Sequence, residues 1–123
     1  DVLVAEDNEI NQIYAEYVLK GLDLKFKMAE NGRVAIEKWK LLSPKVILMD
    51  ISMPNLNGYE ATKTIREIEE RDNLPRTPII AVTANVMKED KQACLDSGMD
   101  DYLSKPLSIT ALTECLKRWD IVD

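Results

Sequence analysis

The order of apolar segments along the chain is the feature that most restricts its fold. Five short strand-like segments alternate with five longer segments in which apolar residues recur at helical spacing. Strands that alternate with helices predict right-handed βαβ units and a parallel sheet covered by helices. The predicted strands are residues 2–5, 24–29, 46–49, 79–82 and 102–103.

The segments that follow the predicted strands carry the signals of amphipathic helices. Asn8 and Ser108 are good N-terminal caps for the first and fifth helices, Pro44 follows the second, and Gly98 is a natural stop for the fourth, which we predict over residues 86–97. The apolar positions of the other four helices are Ile10, Ile13, Tyr14, Tyr17 and Val18 in the first; Val34, Ala35, Ile36 and Trp39 in the second; Ala61, Ile65 and Ile68, within residues 59–70, in the third; and Ile109, Leu112 and Leu116 in the fifth.

The composition of each strand predicts its place in the sheet. The strands at residues 2–5, 46–49 and 79–82 are apolar throughout, as expected in the middle of a sheet covered on both faces. The strand at 24–29 has lysines at alternate positions, and the strand at 102–103 is very short, so both suit the edges. We therefore predict an α/β fold with a doubly wound, five-stranded parallel sheet in the order 2-1-3-4-5.

Composition argues against several classes of function. The 123 residues, 46% of them hydrophobic, are enough for one domain with a full core, and we expect a single domain over residues 1–123. A net charge of −6 argues against direct nucleic-acid binding, and no apolar run is long enough to span a membrane. The lack of histidine excludes catalytic triads and metal sites that need imidazole. We expect Cys94 and Cys115 to be buried free thiols, and a chain that begins at Asp1 to be cut from a longer polypeptide.

Polar residues of a particular kind follow four of the strands. Glu6 and Asp7 follow the first strand, Asp50 follows the third, Thr83 follows the fourth, and Lys105 follows the fifth. The carboxyl ends of parallel strands meet at one edge of the sheet, and ligands bind there at the point where the strand order reverses. That reversal lies between strands 1 and 3, which carry the three carboxylates. The sequence therefore predicts a polar site at this edge.

The residue types at this edge suit phosphoryl transfer. Three adjacent carboxylates repel one another unless they take up protons or surround a cation, and an all-oxygen ligand set favours Mg²⁺. Asp50 would then stay ionised and could act as a nucleophile that forms an aspartyl phosphate. Lys105 and Thr83 would offer a positive charge and a hydroxyl donor to the phosphoryl oxygens.

Each of these residues also has an ordinary structural explanation. Glu6 and Asp7 could stabilise the N-terminus of the first helix, and Asp50 could begin a turn. Thr83 could be one more strand residue, and Lys105 a solvated surface lysine. For each residue alone, the structural explanation is stronger than the functional one. For the whole set the functional explanation is stronger, because separate strand ends each deliver a group that the same chemistry requires.

With these motifs in place, the chain resembles the receiver domain of two-component response regulators over essentially its whole length. The matching features are the acidic pair at residues 6–7, the block MDISMPNLNG with Asp50 as its acid, the step Thr83-Ala84, and the block DYLSKP with Lys105. The runs EDNEINQ, TANVMKED and SGMDDYLSKP are most similar to receivers of hybrid sensor histidine kinases.

The resemblance implies a flavodoxin-like fold with helices on both faces and assigns roles to individual residues. Asp50 would accept a phosphoryl group from a phosphohistidine on a histidine kinase or a histidine phosphotransfer domain. Glu6, Asp7, Asp50 and the backbone carbonyl of Ser52 would hold Mg²⁺, and Lys105 would contact the phosphoryl group. Thr83 and Tyr102 would form the switch. The resemblance also implies a cytoplasmic monomer or weak dimer, which could be part of a membrane-bound sensor kinase.

Three other functions remain to be weighed against this one. A pseudo-receiver would act only as a protein-interaction module, but Asp50, Lys105, Thr83 and the acidic pair are all present. A flavodoxin-type cofactor module would need a glycine- and hydroxyl-rich phosphate loop after the first strand, where this chain has EDNEIN. A hydrolase that uses an aspartyl phosphate would want a second acid at the position of Ser52.

Overall fold

The computed structural model describes residues 1–51, 53, 56–83, 88–105 and 107–121 and contains one five-stranded parallel sheet. The strands are β1 (Val2–Ala5), β2 (Phe26–Ala29), β3 (Val46–Asp50), β4 (Ile79–Thr83) and β5 (Asp101–Ser104). The helices are α1 (Glu9–Gly21), α2 (Gly32–Leu42), α3 (Gly58–Arg71), α4 (Lys88–Ser97) and α5 (Ile109–Arg118). The strand order β2-β1-β3-β4-β5 confirms the predicted doubly wound, flavodoxin-like arrangement.

Several element boundaries differ from the prediction. β2 begins at Phe26, two residues later than predicted, because the Leu24 amide donates to the Leu19 carbonyl and closes the end of α1. β3 and β4 each extend by one residue, so that Asp50 and Thr83 are the last residues of their strands. β5 has four residues instead of two. The predicted start of α4 at residue 86 lies outside the described residues.

The sheet divides the apolar residues into two cores. Leu3, Ile47 and Met49 point to the face that packs against α2, α3 and α4, together with side chains such as Ile65. The opposite core holds alternate residues of the same strands with side chains of α1 and α5. Helices therefore cover both faces, as predicted. Cys94 lies in the first core and Cys115 in the second, and both are buried cysteines that form no disulfide, as predicted.

The face that α1 presents to the sheet is not the one that its large apolar residues suggest. Ala15, Val18 and Leu19 are the buried residues of this helix. Of the predicted apolar positions only Val18 is buried, whereas Ile10, Ile13, Tyr14 and Tyr17 are exposed. The apolar arc of α1 is wider than one helix face, and the sheet covers only the part next to Ala15. The helix therefore keeps a second, solvent-exposed apolar surface.

None of the helices described here is both long enough and apolar enough to cross a membrane.

Candidate functional site

The pairing of β1 with β3 brings two of the predicted acidic residues together at one edge of the sheet. Ala5 pairs with Met49, so Glu6 and Asp50 are the next residues along neighbouring strands. Both residues are almost completely buried, each with only 4% of its surface exposed, whereas Asp7 is exposed. One carboxylate oxygen from each of Glu6, Asp7 and Asp50 lies within 4.8 Å of the other two. The structure therefore places the predicted acidic cluster in one compact group.

Lys105 reaches this cluster from the end of β5. Its amide donates to the Thr83 carbonyl at 2.8 Å, which holds the residue beside the end of β4. Its Nζ lies 2.9 Å from Glu6 Oε1 and 3.2 Å from Asp50 Oδ2. The lysine thus bridges the two buried carboxylates, an arrangement that the sequence alone did not indicate.

Burial and proximity separate the pKa values of the two buried acids. Burial raises the pKa of Asp50 to about 7, and a hydrogen bond and the negative charge of Glu6 add to the effect. Burial also acts to raise the pKa of Glu6, but hydrogen bonds with Lys105 and Asp50 outweigh it and hold that pKa below its usual value. Burial acts to lower the pKa of Lys105, yet its pairing with Glu6 and Asp50 raises it. Below about pH 7 the pair therefore holds one proton, because two close carboxylates are not readily ionised together.

The oxygen atoms of this cluster fit a small divalent cation. Mg²⁺ binds oxygen ligands at about 2.1 Å in an octahedron, so its ligands lie about 3–4 Å apart, and it usually retains several waters. The observed spread of up to 4.8 Å requires only a small contraction of the three side chains. The predicted fourth ligand, Ser52, lies outside the described residues. Asp7 is the solvent-exposed member of the cluster, so water could reach a bound cation there and complete its coordination shell.

Two glycines and an asparagine support the site in ways that the sequence analysis missed. The Gly58 amide donates to the Ile51 carbonyl at 3.0 Å, and a Cβ at this position would clash with the Asp50 carbonyl oxygen. A Cβ on Gly32 would similarly clash with the backbone of the loop that follows β3. The backbone N–H of Asn8 donates to Glu6 Oε2 at 3.2 Å. A glycine at the first position of a helix, such as Gly58, is the sequence signal that could have indicated this close approach.

The two predicted switch residues lie on the same face of the sheet. β4 and β5 pair Ala81 with Tyr102 and Thr83 with Ser104, so Thr83 and Tyr102 are diagonal neighbours. Both side chains are half-buried, and the Tyr102 ring packs against the core on the α4 side. Lys91 Nζ lies 4.8 Å from the centre of that ring. Ala84, which follows Thr83 in the matching motif, lies outside the described residues.

Comparison with curated proteins finds relatives that are much longer than this chain. The sensor protein ArcB of aerobic respiration control in Escherichia coli K12 is 42% identical over 124 residues, which cover all of this chain but 16% of ArcB. Hybrid signal transduction histidine kinase I of Dictyostelium discoideum is 44% identical over 120 residues, covering 94% of this chain and 7% of that protein. The chain thus spans less than a fifth of the length of these relatives, which are sensor and hybrid histidine kinases.

Solved structures agree with this similarity. The receiver domain of Ssk1 from Saccharomyces cerevisiae, determined in complex with the histidine phosphotransfer protein Ypd1, has a TM-score of 0.89 at 36% identity and covers 96% of this chain and 86% of that one. The receiver domain of the sensor histidine kinase PA1611 from Pseudomonas aeruginosa, with Mg²⁺ in its active-site cleft, has a TM-score of 0.84 at 39% identity and covers 96% and 94%. The family model for the response regulator receiver domain matches residues 2–117. By sequence and by fold, the chain belongs to the response regulator receiver family of two-component signalling, and its relatives include hybrid sensor histidine kinases.

Proposed function

We propose that the chain is a phosphoryl-accepting signalling switch in which Asp50 takes a phosphoryl group from a phosphohistidine on a partner protein. The observation that carries the proposal is the position of Lys105, whose Nζ lies within 3.2 Å of the Asp50 carboxylate in an otherwise acidic, buried site. A phosphoryl group on Asp50 would offer its own oxygens to this lysine in place of the carboxylate oxygen that the lysine now contacts. A pseudo-receiver would not need to keep this pairing.

The chemistry follows from the groups at the edge of the sheet. A carboxylate oxygen of Asp50 attacks the phosphorus atom in line with the leaving imidazole nitrogen of the donor, so one P–O bond forms while one P–N bond breaks. Lys105 would shift from Glu6 toward the incoming phosphoryl oxygens and neutralise their charge. The Thr83 hydroxyl would donate to another of these oxygens. A divalent cation held by Glu6, Asp7 and Asp50 would supply positive charge that keeps the carboxylates ionised and attracts the phosphoryl group.

The first prediction is that Mg²⁺ binding depends on pH near neutrality. Below its pKa of about 7, Asp50 holds a proton that must leave when a cation binds. The affinity for Mg²⁺ should therefore fall by up to about tenfold per pH unit below pH 7 and level off above it. We expect Mg²⁺ to raise the thermal midpoint at pH 8 much more than at pH 6, since the ion binds only the folded cluster.

Asp7→Asn provides the control for the metal site. Asp7 is exposed, so the variant should fold, but it should lose most of the Mg²⁺-dependent shift. Equal stabilisation of both proteins by Mg²⁺, or an affinity that does not change between pH 6 and 8, would exclude this cluster as the site.

The exposed apolar surface of α1 supports docking of the phosphohistidine donor. Ile10 is 77% exposed and Ile13 65% exposed, and Tyr14 and Tyr17 extend the same surface. A cavity of about 190 Å³ lies between this surface and the site, lined by Ile10 and Tyr14 on one side and by Lys105 on another. Any protein that delivers a phosphoryl group to Asp50 must contact the neighbouring surface. Exposed apolar patches next to a reactive site are typical of protein contacts.

The second prediction separates docking from chemistry. Ile10→Ser/Ile13→Ser should slow phosphotransfer from a phosphorylated histidine phosphotransfer domain by about tenfold or more. Each isoleucine that becomes buried in the complex contributes roughly 1–3 kcal/mol to the interface. Phosphorylation by a small-molecule donor should be unchanged. The matched control is Leu95→Ser, which removes an exposed apolar side chain from α4. If the variant slows both reactions equally, or if the control slows protein-mediated transfer as much, then α1 is not the docking surface.

The third prediction concerns the switch between Thr83 and Tyr102. With Mg²⁺ and beryllofluoride as a phosphoryl mimic, NMR should show shifts in the Asp101–Ser104 amides and in the Tyr102 ring. The partly buried ring should become more buried as Thr83 turns toward the mimic. Thr83→Ala should remove at least half of these shifts but still accept the mimic, because a ligand shifts an equilibrium only through its differential affinity for the two states.

Thr64→Ala is the control for this experiment, since Thr64 is a half-buried threonine on α3 whose hydroxyl donates within its own helix to the Glu60 carbonyl. It should respond to the mimic as the unmodified protein does. Identical shifts along β5 in the unmodified protein and Thr83→Ala would show that the threonine does not drive the change.

A further inference from the structure

The end of the molecule opposite the acidic site carries a basic surface depression. Lys45 lies just before β3, and Lys40 lies in the last turn of α2. These lysines line a groove of about 310 Å³ together with Trp39, Pro44, Leu74 and Arg76. We call it the basal groove. A second depression adjoins it through the shared residues Ser43 and Pro44, and it adds Lys27 of β2 and Lys25 just before that strand.

The charge of this surface is opposite to that of the whole chain. The net charge is −6, yet among the residues that the structure describes no carboxylate lies within ion-pair distance of Lys25, Lys27, Lys40 or Lys45.

The helix dipole does not account for this cluster. A basic side chain at a helix C-terminus is favourable, which explains Lys40. It does not explain Lys25 and Lys45, which precede strands. The pKa of Asp72 is lowered mainly by Arg71, with which its carboxylate is already paired, and to a smaller extent by the positive charge of Lys40. The lysines thus retain charge that a partner could neutralise.

The walls of the basal groove are apolar and held in place. Trp39 is buried and its indole N–H donates to Thr77 Oγ1 at 2.9 Å, while the Thr77 amide donates to Glu69 Oε2 at 2.8 Å. Leu74 is 45% exposed at the rim. Pro44 contributes an apolar ring to the same groove. A rigid groove with apolar walls and free lysines at its edge can hold alternating apolar and acidic side chains.

We propose that the basal groove binds an extended, acidic segment of a partner protein, with glutamate or aspartate side chains meeting Lys40 and Lys45 and apolar side chains lying against Trp39 and Leu74. Charge complementarity favours this occupant. A short acidic segment would meet mainly the lysines of the groove, whereas a nucleic acid would extend beyond it and be repelled by the rest of a chain whose net charge is −6. A bilayer would meet a concave surface that it cannot enter. The proposal does not depend on phosphorylation of Asp50.

The test uses a defined peptide as the probe. A fluorescein-labelled peptide of three Glu–Pro–Leu repeats should bind the whole chain in low salt, and the same peptide with Gln for Glu should bind at least tenfold more weakly. Lys40→Glu/Lys45→Glu should lower affinity for the Glu peptide by at least tenfold. Arg33→Glu/Lys63→Glu makes the same change of charge at exposed positions outside the groove and should lower affinity by no more than about threefold, the effect of net charge alone.

NMR provides a second readout that does not depend on the variants. The amide shifts caused by the Glu peptide should centre on Ser43, Lys45, Leu74 and Arg76, and Asp50→Asn should bind the peptide as well as the unmodified protein. Absence of binding, equal binding of the Gln peptide, equal losses in both double variants, or shifts elsewhere would overturn the proposal. Binding to phosphatidylserine vesicles that is lost in Lys40→Glu/Lys45→Glu, without peptide binding, would assign the surface to membranes and would also overturn it.

Discussion

Asp50→Asn should abolish phosphoryl acceptance, and we expect no other substitution to have a larger effect on the proposed function. With Mg²⁺ and a small phosphodonor, the unmodified protein should gain one phosphoryl group that is stable in acid and labile to base and hydroxylamine, as expected for an acyl phosphate. The amide of asparagine is a far poorer nucleophile than the carboxylate, so the variant should gain none. Intact-protein mass measurement before and after hydroxylamine treatment checks both statements.

Two further variants make this experiment specific. Asp96→Asn replaces an exposed aspartate on α4 and should be phosphorylated normally. Lys105→Ala leaves Asp50 in place but removes the cation 3.2 Å from it, so phosphorylation or the response to it should be impaired. A phosphoryl group found on serine or threonine, or an Asp50→Asn protein that is still labelled, would contradict the assignment.

The largest expected effect on stability comes from Arg66, which is not one of the residues of the acidic site. Its guanidinium contacts Asp100 Oδ2 at 2.6 Å and Glu69 Oε1 at 2.8 Å, and it donates to the carbonyls of Thr77 and Gly98 at 2.8 and 2.9 Å. This one side chain therefore joins α3 to the loops before β4 and β5. Both carboxylates are largely buried.

Arg66→Met should lower the free energy of unfolding by about 3–5 kcal/mol, because it removes the arginine that pairs with the buried Glu69 carboxylate and leaves Asp100 paired with Arg76 alone among the described residues. That is a large part of the roughly 5–15 kcal/mol that stabilises a typical domain. Urea denaturation measures the change. Arg66→Lys should have an intermediate effect, since an ammonium group cannot reach four acceptors in the geometry of the guanidinium fork.

Arg71→Met is the matched control on the same helix. Arg71 pairs with Asp72 at the surface, where solvent screens the interaction, so the urea midpoint should scarcely change. Adding Asp100→Asn and Glu69→Gln to Arg66→Met should recover part of the lost stability, because the buried charges are then removed as well. If Arg66→Met and Arg71→Met have the same midpoint, the network does not stabilise the fold.

The sequence by itself determined the architecture and the place of the site. Uniformly apolar segments identified the central strands, and the order 2-1-3-4-5 followed from them. The carboxyl ends of parallel strands must meet at one edge, so Glu6, Asp50, Thr83 and Lys105 could be placed together without coordinates. These inferences succeed because they depend on periodicity and chain direction, which are local properties.

Only the tertiary structure decided which surfaces are covered and which charges meet. The apolar arc of α1 was visible in the sequence, but whether Ile13 or Ala15 faced the sheet depended on how the helix packs against the sheet. The four acceptors of Arg66 belong to segments up to 34 residues away. The raised pKa of Asp50 likewise arises from burial and from Glu6, 44 positions earlier in the chain. Such properties depend on distances between residues remote in sequence, and those distances exist only after the chain has packed.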